Sequence, residues 1–384
     1  MRVHTVAALV PLLVATSLSA QSRRFVSFEG TLFSGAPPSG SPAHELALVV
    51  RSQHGLRFDA GSQRLTAVPF VRLDVAGGGR TRIDFQELSW QAVWRRWAFR
   101  VGLSQVHWGV AESRSLVDII NQRELVEGHA EYVKLGQPMI NVSGSGDWGQ
   151  IGLYLLPWFR ERPGRGRAAM TWSAWPVRYD RAVYESNNRH RHLDWAVRWS
   201  RRFGAWDVAI SHFSGTNREP RFVEDRTDAV TAFLAPHYDL IDRTGAELQW
   251  ISGGWIWKLE AVAERGGPAA FAAAVGGFEY AFADYLSVLL EYTYDSRGHQ
   301  ATTSVQDDLY AGARLLLPDG AIHGGVFIDR QSRNVIGQLE LTRRLNDELT
   351  VGVEGRAFVG RSALEPRFAA RRSSFLAVKI NRYF

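Results

Sequence analysis

The chain has 384 residues, with 45 lysines and arginines, 39 aspartates and glutamates, a formal net charge of +6 and no cysteine. Without cysteine it has neither a disulfide framework nor an acceptor for a lipoprotein anchor. Its basic charge comes almost entirely from arginines dispersed among acidic residues, which argues against a nucleic-acid partner. No glycine-rich loop connects a strand to a helix, so nucleotide chemistry and a nucleotide cofactor are not expected.

Residues 1–20 have the pattern of a secretory signal peptide. Arg2 gives a positive start, an apolar run extends from Val6 to Thr16, and small residues follow up to Ala20. We expect cleavage after Ala20, with the bond after Ser19 as the alternative, and a mature domain over residues 21–384. A membrane-anchoring helix would need a longer apolar run.

The amino-terminal part of the mature chain predicts strands over residues 24–33, 44–53 and 64–76, and a hairpin whose turn is Arg95 and Arg96. In this hairpin Trp94 pairs with Trp97 on one face, and Gln91 pairs with Arg100 on the other. Two tryptophans beside a tight turn indicate an interfacial aromatic girdle.

The connection over residues 105–137 contains a segment with helical character. Ser113 or Ser115 could cap a short helix with Leu116 and Ile119 on its apolar side. Following a strand that ends at the loop side, this segment could fold into a lumen as a constriction. A loop lying over the barrel mouth is an equally good interpretation.

Residues 100–125 resemble a family of porin-like outer-membrane barrel proteins of largely unknown function. The family motif is Arg-x-Gly-x-Gln, then Trp-Gly, then an Asp shortly before an Asn and a second charged pair. The matching residues are Arg100, Gly102, Gln105, Trp108, Gly109, Asp118, Asn121 and Arg123. Gln105 comes one position later than usual, and Gln122 replaces a common proline. The resemblance implies a barrel in the outer membrane with a channel or transport-related role.

The carboxyl half alternates apolar and polar residues with period two over residues 255–264, 285–295 and 349–359. Each segment has about the length that a tilted strand needs to cross a bilayer core. Tight turns near residues 95, 145, 203, 253, 284, 319 and 346 alternate with longer polar connections such as 159–190 and 360–371. A soluble β-sandwich also alternates, but this phase of short and long connections predicts an all-β transmembrane antiparallel barrel of 16 to 18 strands.

In such a barrel the polar face lines the lumen. The residues predicted to line it are Glu87, Arg100, Glu247, Lys258, Glu260, Glu279, Glu291, Arg314, Asp329, Glu340, Glu354 and Arg356. Opposite charges in one water-filled lumen favour the passage of small polar solutes. We therefore predict a porin-like channel in the outer membrane of a Gram-negative-type bacterium. An accessory barrel in lipid or polymer export is the alternative, and a homo-oligomer is left open.

A barrel-embedded hydrolase is a less favoured prediction. His212 and Ser214, and Ser186 with His190 and His192, bring nucleophile and base types close in sequence. Neither group has a recognisable nucleophile signature. We expect no enzyme, no metal site and no cofactor.

The segment "FLAVKINRYF", residues 375–384, predicts a last strand that pairs with the first. Leu376, Val378, Ile380 and Phe384 form its apolar stripe. This pattern resembles the signal that the outer-membrane barrel assembly machinery reads, with Arg382 as a departure. It predicts that the tight turns are periplasmic and that residues 105–137 are at the outer end.

Overall fold

The computed structural model describes residues 19–35, 43–75, 80–124, 126, 133–163, 177–225, 233–301, 303, 305–360 and 374–384. Within these residues the strands are β1 (Ser19–Phe33), β2 (His44–Phe58), β3 (Gln63–Asp74), β4 (Arg82–Trp94), β5 (Trp97–Ser104), β6 (Arg123–Glu124), β7 (Val133–Lys134), β8 (Gln137–Gly146), β9 (Gly149–Leu156), β10 (Val183–Tyr184), β11 (Asp194–Phe203), β12 (Trp206–Thr216), β13 (Arg221–Asp225), β14 (Phe233–Tyr238), β15 (Leu240–Ser252), β16 (Trp255–Gly266), β17 (Phe271–Ala283), β18 (Leu286–Asp295), β19 (Asp307–Leu317), β20 (Gly320–Asp329), β21 (Val335–Arg344), β22 (Leu349–Val359) and β23 (Phe375–Tyr383). Short 3₁₀ turns cover Asp59–Gly61, Tyr179–Arg181, Arg189–Arg191 and Gly298–Gln300.

Eighteen of these strands form one sheet that closes into an antiparallel barrel. Each strand pairs with the next barrel strand along the chain, and β23 pairs with β1 to close the ring, with Phe28 opposite Ile380. The predicted barrel of 16 to 18 strands is thus confirmed, with 18. Closure leaves no unpaired sheet edge, as a sheet in lipid requires.

The connections alternate in length around the whole ring. Short turns join β4 to β5 and β8 to β9, for example, whereas the connections from β5 to β8 and from β9 to β11 are long. The predicted β4–β5 register is also observed, with Trp94 opposite Trp97 and Gln91 opposite Arg100. The long connections carry two small additional sheets, β10–β14–β13 and β6–β7. Part of the predicted loop 159–190 therefore forms the strand β10, and residues 164–176 lie outside the described part.

The two faces of the barrel wall are inverted relative to a soluble protein. On β16, Lys258, Glu260 and Glu264 are buried, whereas the adjacent Trp257 and Leu259 are more than 40% exposed. An outer face of exposed apolar side chains is stable only when lipid covers it. Among the described residues no helix combines the length and the apolar character needed to cross a membrane.

The short helix predicted near Ser113 is wrong. Residues 105–122 of the long β5–β8 connection contain no helix. The physical reason is that backbone N–H groups in this segment are bonded to side chains of the barrel wall, so they cannot form the helical ladder.

Candidate functional site: the loop inside the barrel

The β5–β8 connection folds inward, and we refer to its residues 105–122 as the inner loop. Its apolar side chains join a buried cluster with inward-facing residues of the wall. The loop contributes Trp108, Leu116, Val117, Ile119 and Ile120, and the wall contributes Met139, Leu156, Ala196, Phe213, Ile241, Val262, Phe271, Ala273 and Val275. The inner loop therefore occupies the side of the lumen that β8 to β17 enclose, and the loop over the barrel mouth is not what the structure shows.

The carboxylate of Glu260 on β16 is the main polar anchor of this loop. Glu260 is fully buried and its two oxygens accept hydrogen bonds from five donors of the inner loop. The donors are the N–H groups of Val110 (2.7 Å), Ala111 (2.8 Å), Leu116 (2.7 Å) and Val117 (3.2 Å) and the hydroxyl of Ser115 (3.2 Å). Hydrogen bonds to an ionised acceptor are about twice as strong as neutral ones. One carboxylate thus satisfies four backbone N–H groups of the loop tip, residues 109–117.

Two more wall carboxylates continue this arrangement. Glu291 on β18 accepts hydrogen bonds from the N–H groups of Glu112 (3.0 Å) and Ser113 (2.7 Å). Glu247 on β15 accepts one from the N–H of Gly109 (3.3 Å). We call Glu247, Glu260 and Glu291 the loop-anchoring carboxylates.

Glu247 and Glu260 lie directly opposite each other on neighbouring strands, where like charges repel. Arg198 offsets this repulsion because its Nε and Nη2 donate to the two oxygens of Glu247 at 2.9 and 2.8 Å. The amide groups on Glu260 have the same effect. The loop and its wall therefore stabilise each other.

Gly109 is the point of closest approach between the inner loop and the wall. Its φ is +110°, and a Cβ atom there would lie 2.3 Å from Ser115 Oγ and 2.6 Å from Glu260 Oε1. Only glycine combines this backbone conformation with so little space. The preceding Trp108 is buried and meets the Tyr154 ring edge-on, with centroids 5.5 Å apart.

The remaining motif residues fix the two ends of the inner loop. The Asn121 side chain is buried and makes three hydrogen bonds: Oδ1 accepts from Val106 N–H, and Nδ2 donates to the carbonyls of Ser104 and Leu135, all at 2.8 Å. Asp118 forms an ion pair with Lys134. Burial lowers the pKa of the Lys134 ammonium, although Asp118 opposes this shift.

A second group of charges connects the loop tip to the wall at its water-facing edge. The Glu112 carboxylate contacts Lys258 Nζ and Arg314 Nη2, each at 3.0 Å. Glu279 contacts the same two cations at 3.1 and 3.6 Å. Glu112 and Arg314 are about one third exposed, so this edge borders the lumen.

Above the inner loop, a cluster of arginines surrounds Glu219. Burial alone would raise the pKa of Glu219, but Arg114, Arg123 and Arg243 lower it far below its usual range. The Arg123 guanidinium lies 3.6 Å from the Glu219 carboxylate. Glu219 is therefore a charged partner that ties the β12–β15 connection to Arg123, next to the inner loop.

The structure places all the residues predicted to line the lumen on the inward face. Glu247, Lys258, Glu260, Glu279, Glu291, Asp329 and Glu354 are buried, and Glu87, Arg100, Arg314, Glu340 and Arg356 are half-buried. Glu247, Glu260 and Glu291 accept hydrogen bonds from the inner loop instead of facing water. Sequence reasoning did not single out Arg57, Arg64, Arg198 or Glu112, although period-two alternation within β2, β3 and β11 would have found the three arginines.

The residues of the hydrolase alternative lie elsewhere. His212 and Ser214 are on the outward face of β12, and His212 Nδ1 contacts Thr244 Oγ1 at 2.9 Å. In the described part of the chain no hydrogen bond joins Ser214 to His212. The His190 ring packs against Trp158 in a tilted arrangement, with centroids 4.1 Å apart, while His192 contacts Asp194 at 2.8 Å. No group of three or more His, Asp or Glu side chains among the described residues is placed to hold a metal ion.

Comparison with known proteins finds outer-membrane barrels. The structure of Pseudomonas aeruginosa OccK11 (OpdR) matches with a TM-score of 0.58 at 9% identity over 95% of this chain and 96% of that one. A loop-deletion mutant of OmpT, an outer membrane protein of Vibrio cholerae, matches with a TM-score of 0.51 at 8% identity over 96% and 100%.

A mutant of Rh. blastica porin also aligns over 95% of this chain and 100% of that one, at 10% identity with a TM-score of 0.46. No protein-family model and no curated protein matches the sequence. At these identities the likeness concerns the fold, which is that of a porin-like outer-membrane barrel.

Proposed function

We propose that the chain forms an outer-membrane channel through which small solutes pass, with the inner loop as its constriction. The observation that supports this most is the loop itself. The loop-anchoring carboxylates hold it inside a closed barrel whose inward side chains are polar and charged. A polar lumen narrowed by charged side chains is the arrangement that selects solutes by size and charge.

A cavity beside the loop tip supports the same function. It has a volume of about 480 Å³ and is lined by Gly109 and Val110 of the loop and by polar wall residues such as Arg198, Arg202 and Gln249. Polar walls of this kind hold water and hydrated solutes. The cavity therefore extends the proposed path along the loop on the side of the tight turns.

The proposed membrane partners follow from the outer face. The apolar side chains between the inward-facing residues would contact outer-membrane lipid. Leu376, Val378 and Ile380 are exposed on the outer face of β23, and Phe384 is 68% exposed. This stripe is the proposed signal for the assembly machinery, and the orientation with periplasmic tight turns rests on it.

Single-channel recording tests the proposal. Because the chain has no cysteine, the Glu112→Cys variant carries a single thiol at the water-facing edge of the inner loop. The wild type should give discrete current steps in a planar bilayer. A bulky methanethiosulfonate reagent should lower the unit conductance of Glu112→Cys by about half, because it narrows the constriction.

Leu259→Cys is the matched control, since this residue lies on the outer face of β16. The reagent should leave its conductance unchanged. Current steps that the reagent does not alter in Glu112→Cys would contradict the placement of the constriction. A wild type without any current would contradict the channel and favour the accessory role in export, with co-purification of a periplasmic or inner-membrane partner as its sign.

A further inference from the structure

A row of inward-facing residues crosses five neighbouring strands away from the loop-anchoring carboxylates. Arg57 on β2 is opposite Arg64 on β3, which is opposite Gln91 on β4. Gln91 is opposite Arg100 on β5, and Arg100 is opposite Asn141 on β8. We call these five residues the basic row. It lies towards the tight-turn end of β2 and β3, since β2 ends at Phe58 and β3 begins at Gln63.

The basic row faces the lumen. In the same strands Thr66 and Ser89 are buried, whereas Leu65 and Trp90 between these positions and the row are exposed on the outer face. Period-two alternation places Arg64 with Thr66 and Gln91 with Ser89. The guanidinium groups of the row are therefore directed to the inside of the barrel.

The charges of this row have no counter-ion among the described residues. No described carboxylate lies within ion-pair distance of Arg57, Arg64 or Arg100, and the Nε of Arg64 is buried without a hydrogen-bond partner. Within the described part of the chain, Arg100 donates only to the Oε1 of Gln91, at 3.4 Å. Directly opposed like charges such as Arg57 and Arg64 destabilise a sheet, and no described carboxylate offsets this repulsion.

The spacing of the row fits a small multivalent anion. Neighbouring strands are about 4.8 Å apart, so Arg57 and Arg64 are one spacing and Arg64 and Arg100 about two spacings apart. A guanidinium group binds a carboxylate or a phosphate through two parallel hydrogen bonds. The amide of Gln91 adds a neutral donor between the arginines, whereas Asn141 Nδ2 beside them already donates to the carbonyl of Leu153 at 2.9 Å.

We propose that the basic row binds small solutes with several carboxylate or phosphate groups and gives the channel a preference for anions. This inference rests on the proposed channel function for its role in transport. The binding itself does not require conduction. It is therefore testable by two separate readouts on the full-length mature protein.

The first readout is block of single-channel current by citrate and, in a separate arm, by inorganic phosphate. Both anions should reduce the wild-type current. In the Arg64→Gln/Arg100→Gln variant the concentration that halves the current should rise about tenfold or more, since two charge-assisted contacts are lost. The anion-to-cation permeability ratio in a KCl gradient should fall as well. The Arg178→Gln/Arg330→Gln variant, with the same change in charge on exposed residues of the long connections, should behave like the wild type.

The second readout is thermal unfolding in detergent. Citrate or phosphate should raise the unfolding temperature of the wild type and of the control variant, but not that of the row variant. A stronger effect of citrate identifies carboxylates as the better ligands, and a stronger effect of phosphate identifies phosphates.

The two readouts separate the two hypotheses. If the wild type conducts but neither citrate nor phosphate distinguishes the row variant from the control, the basic row is not a binding site and the channel stands. If the wild type does not conduct, the channel is wrong. Anion-dependent stabilisation that only the row variant loses would then still establish the site, and equal stabilisation of all three proteins would overturn it.

Discussion

Two groups of inward-facing charges differ in whether the protein itself supplies their partners. On the side of β15 to β19, Glu247, Glu260 and Glu291 are bonded to the inner loop, and Lys258 and Arg314 bridge to Glu112. At the tight-turn end of β2 to β5, Arg57, Arg64 and Arg100 have no carboxylate partner within the described residues. Nearer the other end of these strands, Arg72 and Arg80 are paired with carboxylates. Charge that the protein satisfies internally supports the fold, and charge that it leaves unsatisfied is available to a solute.

This difference also explains why the inner loop is attached to one side. Irregular backbone inside a barrel needs hydrogen-bond acceptors for its N–H groups. The carboxylates of β15, β16 and β18 supply them, whereas the arginines of the basic row supply only donors. The loop therefore packs on the acidic wall and leaves the basic row uncovered by these contacts.

The largest expected effect comes from breaking the acidic side at Glu260. In Glu260→Gln the side-chain amide keeps one acceptor oxygen but presents an NH₂ group to N–H donors. We expect a loss of about 3 kcal/mol or more of unfolding free energy, because each lost hydrogen bond to a charged group contributes about 1.5–3 kcal/mol. Released from the wall, the loop should also give larger and noisier unit currents. Urea unfolding and bilayer recording measure the two effects.

Glu354→Gln is the control for this change. Glu354 is a buried inward carboxylate on β22 that contacts Lys379 at 3.5 Å, on a part of the wall away from the loop anchors. The Glu354→Gln variant should keep the wild-type conductance. Equal conductance changes in both variants would mean that the loop is not specifically held by Glu260.

A smaller effect is expected from Gly109→Ala, which leaves every charge in place. The added methyl group would meet Ser115 Oγ and Glu260 Oε1 at less than 3 Å. We expect a loss of about 2–3 kcal/mol, from backbone strain together with displacement of the loop. Gly61→Ala isolates the backbone part of this loss, because Gly61 also has a positive φ (+89°) but has open space around it. If both variants lose the same stability, the close approach at Gly109 has no energetic consequence.

The barrel could be predicted from the sequence because alternation is a local signal. For Leu259 and Glu260, or Trp90 and Gln91, the alternation with neighbouring residues predicts which side chain points outward and which points into the lumen. The inner loop could not be predicted to the same extent. Its Leu116 and Ile119 have helical spacing, but the acceptors that replace the helix ladder are on β16 and β18, more than a hundred residues away along the chain.

The candidate site, too, could be predicted from the sequence only as far as local alternation determines it. The charges of the lumen were found by alternation, but which of them are paired depends on cross-strand register and on where the loop lies. Nothing local distinguishes Glu260, bonded to the loop, from Glu340 on β21. The turn between β2 and β3 sets the register in which Arg57 faces Arg64, and this turn was not identified from the sequence.

The smallest expected effect concerns His107 of the inner loop. Burial lowers the pKa of this imidazole, and the Lys134 ammonium lowers it further, while Asp118 opposes the shift. The folded chain thus binds the proton less readily than the unfolded chain, whose histidines titrate near pH 6.5. The stabilisation is fully present above about pH 6.5 and is lost as the pH falls through the lowered pKa of the folded state. In His107→Gln the unfolding temperature should therefore fall less than in the wild type between about pH 7.5 and about pH 5.

The control variant is His54→Gln, on β2 and remote from the loop. Its unfolding temperature should change with pH as that of the wild type does. Parallel curves for His107→Gln and the wild type would mean that protonation of His107 does not couple to the loop, and the contrast between the two sides of the lumen would then rest on the carboxylates and arginines alone.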